Sequence, residues 1–195
     1  MWNDRLKDHK IILASGSPRR KQFFEDMGLD FEIRIKQIEE VYPSSLKGSE
    51  ISDFLSELKA SAFDGSLVDK EILITSDTVV WYKGKSLAKP SGTKEAYEML
   101  TALSNDWHDV ITSVSFTTKT SQRTVNHTTR VKFKAINKDE IEYYVEKYKP
   151  FDKAGGYGIQ EWIGLIGIEE IQGSYTNVVG LPTQLVYKTL MNMVS

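Results

Sequence analysis

The residues with most chemistry to offer lie in short, separated segments. Leu13-Ala14-Ser15-Gly16-Ser17-Pro18-Arg19-Arg20 leads from an apolar run through a small-residue turn into what reads as a helix opened by Pro18. The hydroxyls of Ser15 and Ser17, free backbone N–H groups and two arginines at one place suit an anion, most simply a phosphate. The plainer alternative is a strand-to-helix turn with solvated arginines, because cations are mildly disfavoured at a helix N-terminus. Asp77, within Ser76-Asp77-Thr78, follows directly on Ile72-Leu73-Ile74. A carboxylate at the carboxyl end of a strand is where α/β sheets bind ligands; the alternative is a turn or N-cap aspartate. Glu39-Glu40 follows the second strand-like segment, and one of these carboxylates could reach Mg²⁺, an ion that takes oxygen ligands. Lys89-Pro90 and the segment Asp152 to Gln160, which contains Lys153, add two lysines. The glycines of that last segment permit close backbone approach to a ligand. These residues together describe a mixed-charge cleft suited to a metal-bound polyphosphate.

Other chemistries are excluded. The chain has no cysteine, which removes disulfides, thiolate metal sites and cysteine nucleophiles and is compatible with the cytosol. Its histidines, His9, His108 and His127, are scattered and make a poor metal cluster. Gly84-Lys85-Ser86 ends like a Walker A loop, but Val79 stands where that motif needs its first glycine. The formal charge of −2 provides no global field to recruit nucleic acid or an anionic membrane. The N-terminus is polar, and no apolar run approaches the ~20 residues that span a bilayer. A cytoplasmic protein without membrane or nucleic-acid partners is therefore expected.

Positioning these groups requires alternating strands and helices, the pattern of an α/β protein. Strands are expected at Lys10 to Leu13, Phe31 to Ile35, Glu71 to Thr75, Asp109 to Thr118, Val125 to Ile136 and Trp162 to Ile168. The polar link Lys119 to Gln122 makes the fourth and fifth of these a hairpin. Helices are expected from Pro18 to Met27, capped by Gly28, around Ile51 to Ala62, Ala96 to Leu103 and Ile141 to Tyr148, and from Leu181 onward. Lys59 lies about 80° around its helix from the middle of the apolar stripe, at ~100° per residue, so it borders the interior. A snorkelling surface lysine is the alternative. The length, 195 residues, suits one domain spanning 1–195, with hydrophobic residues at 40% to fill its core.

Leu13 to Arg20, Lys59-Ala60, Ser76 to Val80, Lys89-Pro90, Asp152 to Gln160 and Gly173 to Pro182 resemble, in order and nearly end to end, the Maf family of nucleoside triphosphate pyrophosphatases. The resemblance implies an elongated mixed sheet flanked by helices, two lobes with the nucleotide in a central cleft, and a homodimer. It implies hydrolysis of a nucleoside triphosphate to monophosphate and pyrophosphate with Mg²⁺ or Mn²⁺. Asp77 corresponds to the family's presumed base. An isolated aspartate near pKa ~3.9 is a weak base, so orienting water and binding metal suit Asp77 better. Glu40 is its expected metal partner. Arg20, Lys59 and Lys89 correspond to the phosphate-binding cations, joined by Ser15, Ser17 and Lys153.

The family's pyrimidine branch, acting on dTTP and UTP, carries arginine after the proline, threonine after the aspartate and glutamine closing Gly-Ile-Gln. This chain has Arg19, Thr78 and Gln160 there. The branch acting on 7-methyl-GTP typically has tryptophan, glutamine and glutamate, which suit a cationic base; an amide and a hydroxyl suit a neutral pyrimidine edge. Ala88 and Asn105 replace frequent glycines, and Glu161 and Trp162 flank a motif with no assigned role. The resemblance thus implies a dTTP/UTP pyrophosphatase, with modified pyrimidine nucleotides as further candidate substrates. Another base preference and a low-turnover nucleotide-binding regulator of cell division are the alternatives.

Overall fold

The structure is a computed structural model that describes residues 2–194. In chain order it comprises α1 (Trp2–Leu6), β1 (Lys10–Leu13), α2 (Pro18–Asp26), β2 (Phe31–Ile33), α3 (Ser49–Ser61), β3 (Glu71–Tyr82), β4 (Lys85–Leu87) and α4 (Thr93–Leu103). Then follow β5 (Trp107–Thr117), β6 (Gln122–Phe133), α5 (Lys138–Tyr148), a 3₁₀ turn (Ala154–Gly156), α6 (Trp162–Gly167), β7 (Ile168–Gln172), α7 (Tyr175–Val179) and α8 (Thr183–Met193). One mixed sheet holds all the strands in the order β2-β1-β3-β5-β6-β7, with β4 also paired to β3.

The parallel part is small: β1 lies between β2 and the start of β3, with Leu13 opposite Ile74. Everything beyond is antiparallel. β5 accompanies β3 from Leu73 opposite Thr117 to Trp81 opposite Asp109. The other edge of β3 is covered by β1 as far as Ile74 and by β4 from Val80, opposite Leu87, to Tyr82. Between them, Thr75 to Val79 has no strand on that edge among the described residues. The apolar residues form a core at either end of this gap. Ile11, Leu13, Ile72 and Ile74 pack with Phe24 of α2 and Leu190 of α8. Leu100 of α4, Phe133 of β6, Ile141 and Tyr144 of α5, and Ile163 of α6 pack at the other end. The result is two lobes sharing β3, as expected for this fold class.

Local chemistry sets the element ends. Ser17 caps α2 by accepting from the Arg20 N–H, and Pro18 occupies the first turn, where no N–H is missed. Asn137 and Glu140 form a reciprocal capping box on α5. Two expectations need correction. The strand holding Asp77 does not stop at Thr75: β3 continues to Tyr82, and the strand that ends nearby is β1. Asp77 is thus mid-strand, because Thr78, Val79, Val80 and Trp81 beyond it still find pairing in β5. Trp162 to Gly167 is a helix, with Ile168 opening β7. A short apolar run does not distinguish a buried helical turn from a strand, and a Cβ on Gly164 would fall 1.8 Å from the Ile159 carbonyl oxygen, so this segment folds back too tightly for any other residue there. The short elements α1, β4 and α7 were not expected from the sequence.

His108 is buried beside Phe133 and Tyr157, and its Nε2 shares a 2.7 Å hydrogen bond with the Tyr157 hydroxyl. Burial lowers its pKa to about 4, with Asp106 opposing weakly. The unfolded chain, with an ordinary histidine pKa near ~6.5, therefore binds the proton first, and stability falls as pH drops from about 6.5 towards 4. The expected contribution is about 3 kcal/mol across that window. Urea denaturation between pH 7 and 4 should show a smaller loss for His108→Gln, which keeps a partner for Tyr157 and cannot protonate. An equal loss in both proteins would refute this.

Candidate active site

The gap beside Thr75 to Val79 opens into a cleft of about 570 Å³ between the lobes. Six cationic side chains and three carboxylates line it, a local positive excess in a chain of net charge −2. Successive β3 residues face opposite sides of the sheet, but the missing edge partner brings both sides within reach of one ligand. Thr75, Asp77 and Val79 face α3; Ser76, Thr78 and Val80 face α2, α7 and the 3₁₀ turn.

On the α3 side, Ser52, Ser56 and Ala60 recur every fourth residue and are buried against the sheet. Their small size lets the helix approach closely, and the serine hydroxyls do not go unpaired: Ser56 meets Ser115 at 2.7 Å, and the Ser113 hydroxyl donates to Ser52 at 2.7 Å. Thr75 donates to the Ser56 carbonyl at 2.7 Å. This docking delivers Lys59 to Asp77 Oδ1 at 2.5 Å and to Glu40 Oε1 at 3.2 Å. Lys59 is therefore an interior ion-pair partner and not a snorkelling lysine. Burial raises the Asp77 pKa above the ordinary aspartate value, and the Lys59 ammonium and then the Arg20 guanidinium oppose that rise. Glu40 comes from the 34–48 connection. Arg34 anchors that connection through Glu71 at 2.6 Å, and Lys36 through the Ala62 carbonyl at 2.7 Å. Glu39 is exposed and does not line the cleft.

On the other side, the Arg20 guanidinium is held on several atoms. It donates to the carbonyls of Gly180 at 2.9 Å and Ser76 at 2.8 Å and to Thr78 Oγ1 at 3.1 Å. Arg19 donates to the Val179 carbonyl at 3.2 Å and lies 3.6 Å from Asp152. The arginines thus bind the carbonyl end of α7, which answers the objection to cations at the start of α2. The hydroxyl hydrogens can be followed. Thr112 donates its only one to the Asn177 carbonyl at 3.0 Å, so Thr78 must donate to Thr112 at 2.9 Å while accepting from Arg20. Thr78 retains a lone pair and no hydrogen to give a ligand.

The remaining residues come from the other lobe and from the start of α2. Lys89 is exposed at the rim. Gln160 is exposed and also lines the cleft. Lys153 is buried, 2.8 Å from Asp152 and 3.0 Å from Glu161. Of the glycines in this segment only Gly158 lines the cleft: a Cβ on Gly155 would lie 3.0 Å from Val80, and Gly156, beside Ala96, has a φ of +72°. Gly155 and Gly156 let this segment pack on β3 and α4. Ser15 and Ser17 line the cleft at the start of α2, where Ser15 Oγ accepts from the Ser17 N–H at 3.2 Å. All the residues expected at the site therefore converge on one cleft. Lys36, Ile38 and Tyr157 also line it, and no spacing signal marked them.

A positive cleft astride a mixed sheet, with two carboxylates gathered on one lysine, defines an α/β protein whose site is suited to a polyanion. The chain belongs to the family of Maf-like proteins, whose pattern it matches over residues 10–193. It is 54% identical over 194 residues to the dTTP/UTP pyrophosphatase of Flavobacterium johnsoniae, with 100% of each chain covered. It is 56% identical over 192 residues to that of Flavobacterium psychrophilum, covering 98% of each. Among solved structures it resembles the Staphylococcus aureus Ham1 protein in fold, with a TM-score of 0.52 and 16% identity, covering 94% of this chain and 99% of that one.

Because Asp77 and Lys59 are both largely withdrawn from water, removing one strands the other. At pH 7, Lys59→Met should cost about 1–3 kcal/mol in urea denaturation and cost clearly less in an Asp77→Asn background. Strict additivity of the two substitutions would show that the pair contributes no coupling.

Proposed function

We propose that this chain hydrolyses dTTP and UTP to the monophosphate and pyrophosphate. The observation that carries the reading is the Lys59 ammonium shared by Asp77 and Glu40 inside a cation-rich cleft. The activity named for its Flavobacterium relatives supports it. Water adds to phosphorus, the P–O bond between the α- and β-phosphates breaks, and pyrophosphate leaves with the electron pair. Asp77 orients that water and takes its proton; the raised pKa makes it a better base than a solvated aspartate, and Lys59 keeps it ionised. Lys59, Lys89, Arg20 and Lys153, with the Ser15 and Ser17 hydroxyls, offset and position charge on the triphosphate.

The residues also fit a divalent cation. Asp77 and Glu40 converge on one cation, and among the described residues no group of three or more His, Cys, Asp or Glu forms a self-sufficient metal cage. One or two carboxylates completed by substrate phosphate oxygens is a donor set that Mg²⁺ accepts, and Mn²⁺ takes similar hard oxygen ligands. When bound, the ion supplies Lewis-acid stabilisation of the polyphosphate. For base choice, Gln160 is the group with both a donor and an acceptor to offer. Arg19 packs near the base, and Thr78 acts by holding Arg20 and by accepting one hydrogen bond. We carry the whole chain as one domain, a homodimer and a cytoplasmic location as parts of this proposal. Among the described residues no helix is long and apolar enough to cross a membrane.

With Mg²⁺ or Mn²⁺, dTTP or UTP should yield pyrophosphate, and EDTA should abolish turnover; orthophosphate plus the nucleoside diphosphate would overturn the assignment. Asp77→Asn should lower kcat by roughly 10²-fold or more with nucleotide binding retained. Near-normal turnover in that variant would move the base elsewhere. Gln160→Glu should lower kcat/KM for both substrates about tenfold, since a carboxylate only accepts. An unchanged kcat/KM would remove Gln160 from base reading.

A further inference from the structure

Behind Gln160 lies a buried group that the reaction does not require. The Tyr144 side chain of α5 is fully buried, its ring stacked on Tyr148 at 5.1 Å. Its hydroxyl donates a short hydrogen bond to the Glu161 carboxylate and accepts one from the Gly158 N–H at 3.0 Å. The other oxygen of Glu161 faces the Lys153 ammonium at 3.0 Å. Gly158 is wrapped by the same groups: a Cβ there would fall 2.9 Å from the Glu161 carboxyl carbon and 3.0 Å from Gln160 Nε2. Burial first, and then Glu161, push the Tyr144 pKa upward, so this hydroxyl keeps its proton for donation.

These contacts form a chain from the core of the second lobe to the cleft wall. A buried backbone N–H must be paired, and here the partner of Gly158 is a side chain that Glu161 orients in turn. Gly158 sits two residues before Gln160, so the placement of its N–H sets where the Gln160 backbone emerges. The geometry points to Tyr144 and Glu161 as positioning residues that hold the Gly158–Gln160 wall for recognition of the pyrimidine edge. Resting on the reading of the cleft as a pyrimidine nucleotide pyrophosphatase site, this assigns a role to Glu161 that its place in the sequence leaves open.

UTP and CTP differ only at the base edge, so their ratio of kcat/KM reports the wall and cancels effects on the phosphates. Tyr144→Phe keeps the ring and removes the hydroxyl. It should lower the UTP-to-CTP ratio about tenfold while inhibition by inorganic tripolyphosphate changes less than threefold. Glu161→Leu should lower the ratio similarly. Glu161→Gln retains an acceptor for Tyr144 and should keep the ratio within threefold of wild type. A ratio within twofold of wild type in both Tyr144→Phe and Glu161→Leu overturns the inference. So does a parallel loss of UTP use and tripolyphosphate inhibition in Tyr144→Phe, the mark of a merely structural role. If Tyr144→Phe is recovered unfolded, Glu161→Leu at its half-buried position decides the matter alone. Wild-type protein that releases no pyrophosphate from UTP overturns the functional reading itself, before any variant is assayed. Wild type that uses CTP as readily as UTP overturns the assignment of base reading to this wall.

Discussion

Strand β3 passes through both lobes, yet among the described residues its edge opposite β5 is covered only at its ends, by β1 up to Ile74 and by β4 from Val80. The backbone between them must find other partners, and the neighbouring side chains are left facing open space. One consequence is the Arg20 bond to the Ser76 carbonyl, where a neighbouring strand would otherwise donate. Another is that residues from opposite faces of the sheet, Asp77 and Thr78, border a single cleft. A closed sheet at this point would hide one of them from any ligand the other touches.

The cleft's charges are arranged as pairs that differ in their freedom. Lys59 is committed to Asp77 and Glu40, Arg20 to backbone carbonyls and Thr78, and Lys153 to Asp152 and Glu161. Lys89 sits exposed at the rim. Burying these cations without partners would be costly, and pairing them keeps them charged and oriented. Such preorganisation suits the proposed hydrolysis, since charged groups fixed in advance need not reorganise during a phosphoryl-transfer reaction. The helices serve the same end. α3 docks through Ser52, Ser56 and Ala60 and brings Lys59 inward; α7 presents the carbonyls of Val179 and Gly180 to the two arginines.

Much of this was legible in the amino-acid sequence. The apolar run Lys10 to Leu13, the Ser17-Pro18 helix start, the apolar stripe of α3 and the polar link that makes β5 and β6 a hairpin are local patterns, and local patterns report which side of an element is buried. The residues able to do chemistry were legible for a related reason: a lysine at the border of an apolar stripe, or an aspartate after Ile72-Leu73-Ile74, is conspicuous against the polarity around it. The amphipathic helices appear where their spacing predicts them. The misread segment, Trp162 to Gly167, is too short for its periodicity to decide between helix and strand.

Types and spacings therefore determined the α/β class, most of the elements and the set of polar residues that meet in the cleft. Tertiary structure alone decided how those residues are engaged. Whether Asp77 ended a strand or sat within one depended on β5, more than thirty residues away in the chain. Whether Arg20 was free depended on α7, and the donor state of Thr78 on Thr112 and Asn177. The glycines at 155 and 156 face Val80 and Ala96, contacts with no local signature. Hydrogen-bond capacity is a property of the residue and can be read in one dimension, but its partner is chosen by long-range packing, which a single chain of letters does not display.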